Sequence, residues 1–274
     1  MRLRFGDLDV DLSAARDLSI PVRFDDHEGR AFHLGPAHSK AVEAGGFVGD
    51  VRRGGSCNCE THTITPHADG THTEGPGHLL GARVPVVVRE PVCAAIVIRV
   101  IPRALGESVD DVAGNHRHDD LVIDRQLIED AVDAVVVPAG VSCLGLVIAS
   151  AAGALRRSQR HSGTNPPYLT PDAAELARAR GFMHLLVDLP SIDREDDGGL
   201  LAAHRAFFDL PAGKLEALDV TTIAPRTVTE LIAVDDDVAA GVYALFLMPA
   251  PFLADAAPSR PLIAALIASV RGPA

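Results

Sequence analysis

Between Pro66 and His78 the chain sets three histidines, two carboxylates, three glycines and two prolines into thirteen residues. Neither a helix interior nor a central strand tolerates that density of glycine and proline, so the window is predicted to be a loop. Glycine lets a backbone turn tightly and bring several side chains to one point. Imidazole nitrogen and carboxylate oxygen are the ligands that divalent transition ions prefer. His72 and Glu74 are two apart, so on extended backbone they project to the same side. The window points to a metal site. One loop seldom closes such a site, so further ligands are expected downstream.

The scaffold for that loop must be largely aliphatic. Of 274 residues, 47% are hydrophobic but only 4% are aromatic, and Trp is absent. The length is enough to bury a large core in one domain, 1–274. The formal net charge of −12 argues against nucleic acid and anionic membrane surfaces as partners; a small-molecule substrate is expected. No stretch approaches the roughly 20 apolar residues of a spanning helix. Residues 1–7 lack the apolar core of a signal peptide, and a cytoplasmic protein is expected. Cys57 and Cys59 are too close for an ordinary disulfide or a CxxC knuckle. They are read as reduced, partly buried thiols, the alternative being that one of them, just ahead of the histidine window, lines the site.

Taken in order, residues 7–24 read as extended. Residues 25–58, rich in glycine, read as an irregular excursion covering a pocket. Val/Ile-rich or alternating runs at 59–65, 84–88, 94–101, 134–137, 145–149, 182–187, 228–234 and 243–248 read as strands. Helices are expected at 124–132 behind an Asp124 cap, from Pro171 behind a Thr170 cap, at 198–209, and at 261–270. Helices alternating with aliphatic strands make the class α/β. His116 and His118 read as part of a solvated loop. Arg156, Arg157, Arg160 and His161 form a basic patch that either receives an anionic substrate or is solvated. On one unbroken helix His204 and Glu216 would be about 18 Å apart. Pro211 and Gly213 break it and permit the chain to bring Glu216 back beside His204.

The segment from His67 to His78 resembles the HxGTHxDxPxH signature of the cyclase-like metal hydrolases, the family of bacterial kynurenine formamidase and isatin hydrolase. Asp17-Leu18-Ser19 is similar to the family's N-terminal element. Tyr168 to Ala174 and Val187 to Asp193 are similar to its central segments, and Pro249 to Arg260 to its C-terminal one. The resemblance spans most of residues 17–260. It implies a swivelling β/α/β fold, a homodimer or homotetramer, and amide hydrolysis at one or two Zn or Mn ions. The amide is of cyclic or N-formyl (aryl-formamide) type. The resemblance makes His67, His72, Glu74, His204 and Glu216 metal ligands, with Glu74 bridging if two ions bind, and His78 the general acid/base.

The chain departs from the signature twice. Glu74 stands where the family has Asp, and one extra residue separates His67 from His72. His67 reaches the metal only if the extra residue bulges. Otherwise the site holds a single ion or Asp69 takes the role. Lactone hydrolysis or dehydration within the same family, and metal binding without catalysis, are the alternatives. A serine hydrolase would need a G-x-S-x-G elbow, and Gly54-Gly55-Ser56-Cys57-Asn58 lacks the closing glycine.

Overall fold

The computed structural model describes residues 3–5, 7–25, 29–81, 84–112, 114–211, 213 and 220–268. Ten strands form one mixed sheet: β1 (Arg4–Phe5), β2 (Leu8–Asp17), β3 (His72–Glu74), β4 (Val92–Arg99), β5 (Cys143–Ala149), β6 (His184–Val187), β7 (Thr227–Glu230), β8 (Gly241–Phe246), β9 (Ala256–Pro258) and β10 (Leu262–Ala268). Their order across the sheet is β1-β2-β10-β8-β4-β5-β6-β7-β3-β9. The four middle strands β4 to β7 run parallel. Antiparallel pairs extend the sheet on both sides.

The parallel strands are covered on both faces, which is why they read as unbroken aliphatic runs. Successive side chains point to opposite faces. Ile96, Ile98, Leu146, Ile148, Leu185 and Val187 therefore enter one core. Ala95, Val97, Val147 and Leu186 enter another with Leu18, Ile232, Val234 and Leu247. Helices α2 (Arg125–Asp133), α4 (Pro171–Ala179) and α5 (Ala202–Phe208) supply the first core with Ile128, Val132, Ala173, Leu176, Phe207 and Phe208. Asp124 caps α2 by accepting from the Leu127 amide, and Thr170 caps α4 by accepting from Ala173.

Several sequence expectations are corrected. Of the helix expected at 261–270, residues 262–268 are instead β10, paired antiparallel to β2 and β8, and residues 269 and 270 lie outside the described residues. A short, nearly all-apolar run has no clear period, and here tertiary pairing decides. Residues 84–88 form no strand; Pro85 offers no amide, and Val86 makes its backbone bond to the Ala254 carbonyl. Residues 134–137 follow α2 as irregular chain with Val136 exposed. The stretch that carries the basic patch includes helix α3 (Gly153–Ser158).

The thirteen-residue window is also more ordered than a plain loop. Pro66–Asp69 makes one helical turn, α1. His72–Glu74 is β3, and Pro76–His78 is a 3-10 turn. Both prolines sit at the first position of a turn, where the missing amide costs nothing. The excursion at 25–58 holds short paired strands, including His38–Ala41 against Glu60–Thr63. It meets the window where the Arg30 amide donates to the Ala68 carbonyl. Among the described residues, no helix is long and apolar enough to cross a membrane.

Candidate metal centre

β3 lies between β7 and β9, and its three residues are fully buried. The register sets His72 opposite Glu230, the last residue of β7. The His72 Nδ1–H donates to the Gly70 carbonyl at 3.1 Å, which fixes the tautomer and leaves Nε2 as a lone pair. That Nε2 is buried, has no hydrogen-bond partner, and stands 3.4 Å from Glu230 Oε2. Glu230 Oε1 accepts from the Ile192 amide at 2.8 Å, so its carboxylate is held in place.

Glu74 projects to the same side. Its Oε1 meets His204 Nε2 in a short contact. Its Oε2 is buried and makes no hydrogen bond, yet lies 3.1 Å from His67 Nδ1, 3.7 Å from His78 Nδ1 and 4.0 Å from His72 Nε2. His204 arrives from α5. Asp193, in the chain leaving β6, accepts from the Ala203 amide at 2.7 Å and the His204 amide at 3.1 Å. The same carboxylate accepts from His204 Nδ1 at 2.5 Å. One side chain thus caps the helix and aims the imidazole, leaving Nε2 toward Glu74 and, at 3.5 Å, toward Glu230 Oε1.

The electrostatics ask for a cation. Burial opposes ionisation of Glu74, but His78 and His204 more than offset it and hold the carboxyl well below its usual range. Burial disfavours charge on His204, yet Glu74, Asp193 and Glu230 push its pKa well above the usual value. His67 behaves alike: burial lowers it, and Glu74, Glu230 and Asp255 carry it to about 8. Two triads, His72–Glu74–Glu230 and His67–Glu74–His78, each bring one ligand atom per residue within 4.8 Å of the others. Orphaned nitrogen and oxygen atoms inside a ring of carboxylates and histidines fit one or two divalent transition ions, and Glu74 is common to both triads.

Of the residues singled out from sequence, His67, His72, Glu74, His78 and His204 come together here. Glu216 lies outside the described residues. Asp69 is elsewhere, accepting from the Thr65 amide at 2.6 Å and closing its own helical turn. That turn absorbs the extra residue and leaves His67 beside Glu74. Glu230, Asp193 and Asp255 were not named as site residues. A signal for the first two existed: both follow parallel strands at the carboxyl end, where open α/β sheets place functional groups. Of the basic patch, Arg156 and His161 are buried, while Arg157 and Arg160 stay partly exposed. Arg156 pairs with Asp188 at 3.2 Å and Arg157 with Asp235 at 2.8 Å.

The model of the Cyclase family matches residues 10–194. The chain belongs to that family. Among curated proteins none matches. Solved structures share the fold at low identity. Isatin hydrolase A from Labrenzia aggregata, bound to benzyl benzoate, superposes with a TM-score of 0.60 at 14% identity, covering 93% of this chain and 94% of that one. Isatin hydrolase A from Ralstonia solanacearum gives 0.57 at 17% identity, covering 91% of each. A predicted metal-dependent hydrolase from Bacillus stearothermophilus gives 0.56 at 14%, covering 91% and 97%.

Proposed function

We propose that the protein is a metal-dependent hydrolase that cleaves a carbon–nitrogen amide bond of cyclic or N-formyl type. The observation that carries this reading is the pair of buried, unpartnered atoms, His72 Nε2 and Glu74 Oε2, facing each other among carboxylates and histidines. His72, Glu74, His204 and Glu230 would hold the ion, zinc or manganese, and His67 would complete a second position through Nδ1. A divalent ion bound there acidifies water and polarises the substrate carbonyl. Family membership and the likeness to isatin hydrolases support hydrolysis over metal storage.

The chain's own groups do the rest. Glu74 and Glu230 balance the ion's charge in a dry setting where electrostatic contacts are strong. Asp193 and the Gly70 carbonyl, each accepting from an Nδ1–H, aim the Nε2 atoms of His204 and His72. His78 is about one quarter exposed, on the open side of the cluster. It takes a proton from the attacking water and returns it to the leaving nitrogen.

Elemental analysis of the purified protein, with hydrolysis assays on N-formylkynurenine, isatin and simple cyclic amides, tests the reading. The expected result is stoichiometric divalent metal, turnover of at least one amide, loss on chelation, and recovery with zinc or manganese. Metal-loaded protein inert across that panel, or turnover indifferent to chelation, overturns it.

A further inference from the structure

β9 is a three-residue edge strand with a fixed register on β3: Ala256 faces Glu74 and Pro258 faces His72. Just before it, the Gly75 amide donates to the Asp255 carbonyl at 3.1 Å. The backbone of Asp255 is thereby locked beside the most buried carboxylate of the site. Its side chain, 40% exposed, reaches back over the open side. Oδ2 is 3.3 Å from His67 Nε2 and also 3.3 Å from His78 Nδ1. The two rings lie with centroids 4.6 Å apart.

A carboxylate can only accept, so both of those ring nitrogens carry hydrogen when the bonds form. The consequences for the two histidines differ. His67 keeps its lone pair on Nδ1, which is 3.1 Å from Glu74 Oε2 and faces the ion position. His78 keeps its lone pair on Nε2, which has no hydrogen-bond partner among the described residues. That is the nitrogen a substrate-side proton can reach. A histidine tautomer is set by the hydrogen bond its other nitrogen makes.

We propose that Asp255 is a positioning residue shared by both histidines, one carboxylate oxygen setting the tautomer of the His67 ligand and of the His78 base together. The inference rests on the hydrolase reading above. It assigns β9 a purpose: the edge strand exists in register with β3 to deliver this carboxylate. It also couples the second ion position to the base, since both depend on one oxygen.

The test compares the zinc-loaded wild type with Asp255→Ala, Asp255→Asn and Asp255→Glu. Three quantities are read: metal affinity by chelator competition, kcat against KM, and the imidazole nitrogen signals by nitrogen-15 NMR, the His78 signal assigned by its loss in His78→Ala. Because the side chain is partly exposed, truncation leaves no buried cavity, and thermal unfolding checks the fold. In Asp255→Ala, kcat falls about 10–100-fold, the range for an outer carboxylate. KM moves less than about twofold, the affinity at the second position weakens over a similar range, and the His78 signal shifts away from the Nδ1–H tautomer. Asp255→Glu recovers part of kcat, and Asp255→Asn lies between. Unchanged kcat, or an unchanged His78 signal with metal loss alone, overturns the shared role. His72→Ala separates the two failures. If it binds as much metal as the wild type, the hydrolase reading falls. If it loses metal while Asp255→Ala matches the wild type throughout, only the role of Asp255 falls.

Discussion

His72 and Glu230 face each other across an antiparallel strand pair, imidazole nitrogen to carboxylate oxygen at 3.4 Å. Backbone register, not loop geometry, sets that distance. The resemblance to the family assigned the second acidic ligand to Glu216, twelve residues after His204. Glu230 is the acidic residue that the described structure places against both His72 and His204. Glu230→Gln is therefore expected to weaken metal binding by more than the roughly 10–100-fold typical of an outer carboxylate. Glu216, which the resemblance makes a ligand, lies outside the described residues, and Glu216→Gln is measured beside it. Chelator competition on both variants decides, and wild-type affinity in Glu230→Gln would remove Glu230 from the ligand set.

Why the sequence showed some of this and not the rest has a physical basis. Aliphatic runs of β4, β5 and β6 are legible because parallel strands bury both faces. Capping chemistry at Asp124 and Thr170 is local, so the starts of α2 and α4 are legible too. The last strand is not: residues 262–268 carry no period, and only their place between β2 and β8 selects extended backbone. In the site, His67, His72, Glu74 and His78 are close in sequence and stand out as a cluster. Glu230 belongs to no such cluster; its one cue is its place at the carboxyl end of a parallel strand, and the histidines it meets are decided only when the sheet is assembled. Asp193 and Asp255 act through hydrogen bonds to other residues' rings, and such bonds leave no spacing rule.

Asp193 combines two jobs that substitution can separate. Asp193→Asn keeps an oxygen that can cap α5 but loses the charge that holds His204 Nδ1–H. Metal affinity should fall about 10–100-fold with thermal stability of the metal-free protein nearly unchanged. Asp193→Ala should lose the cap as well, a further ~1 kcal/mol. Chemical denaturation of the metal-free variants reads the second effect, and equal stability for the two would remove the capping role.

The pH behaviour turns on His67. Burial alone would lower its pKa, but the carboxylates of Glu74, Glu230 and Asp255 raise it to about 8. Being raised on folding, it adds stability to the metal-free protein that is complete below the unfolded value of about 6.5. That contribution fades as pH rises through about 8. It is on the order of 1 kcal/mol after allowance for partial exposure. In chelator, the melting difference between wild type and His67→Ala should shrink from about pH 6 to about pH 9. With metal the sign reverses, because the ion must displace the proton, so affinity rises with pH over that interval. A flat affinity profile would exclude Nδ1 of His67 as a ligand.

The 3-10 turn that carries His78 depends on a close backbone approach. A Cβ on Gly77 would meet the Val84 carbonyl oxygen at 2.2 Å, and that oxygen belongs to main chain, not to a flexible side chain. Neither segment can yield freely. Val86 is tied to the Ala254 carbonyl, and the His78 amide is tied to the Gly75 carbonyl. Gly77→Ala should therefore cost about 1–3 kcal/mol, as overpacking does, and displace the adjacent His78. Metal content should survive, since His72 and Glu74 sit on β3 ahead of the strain. Turnover should drop more than metal binding, because proton transfer tolerates little displacement of the imidazole. Thermal melting, elemental analysis and kcat on one preparation separate these effects. Wild-type melting and turnover in Gly77→Ala would show that the residues 84–88 segment moves aside without disturbing the site.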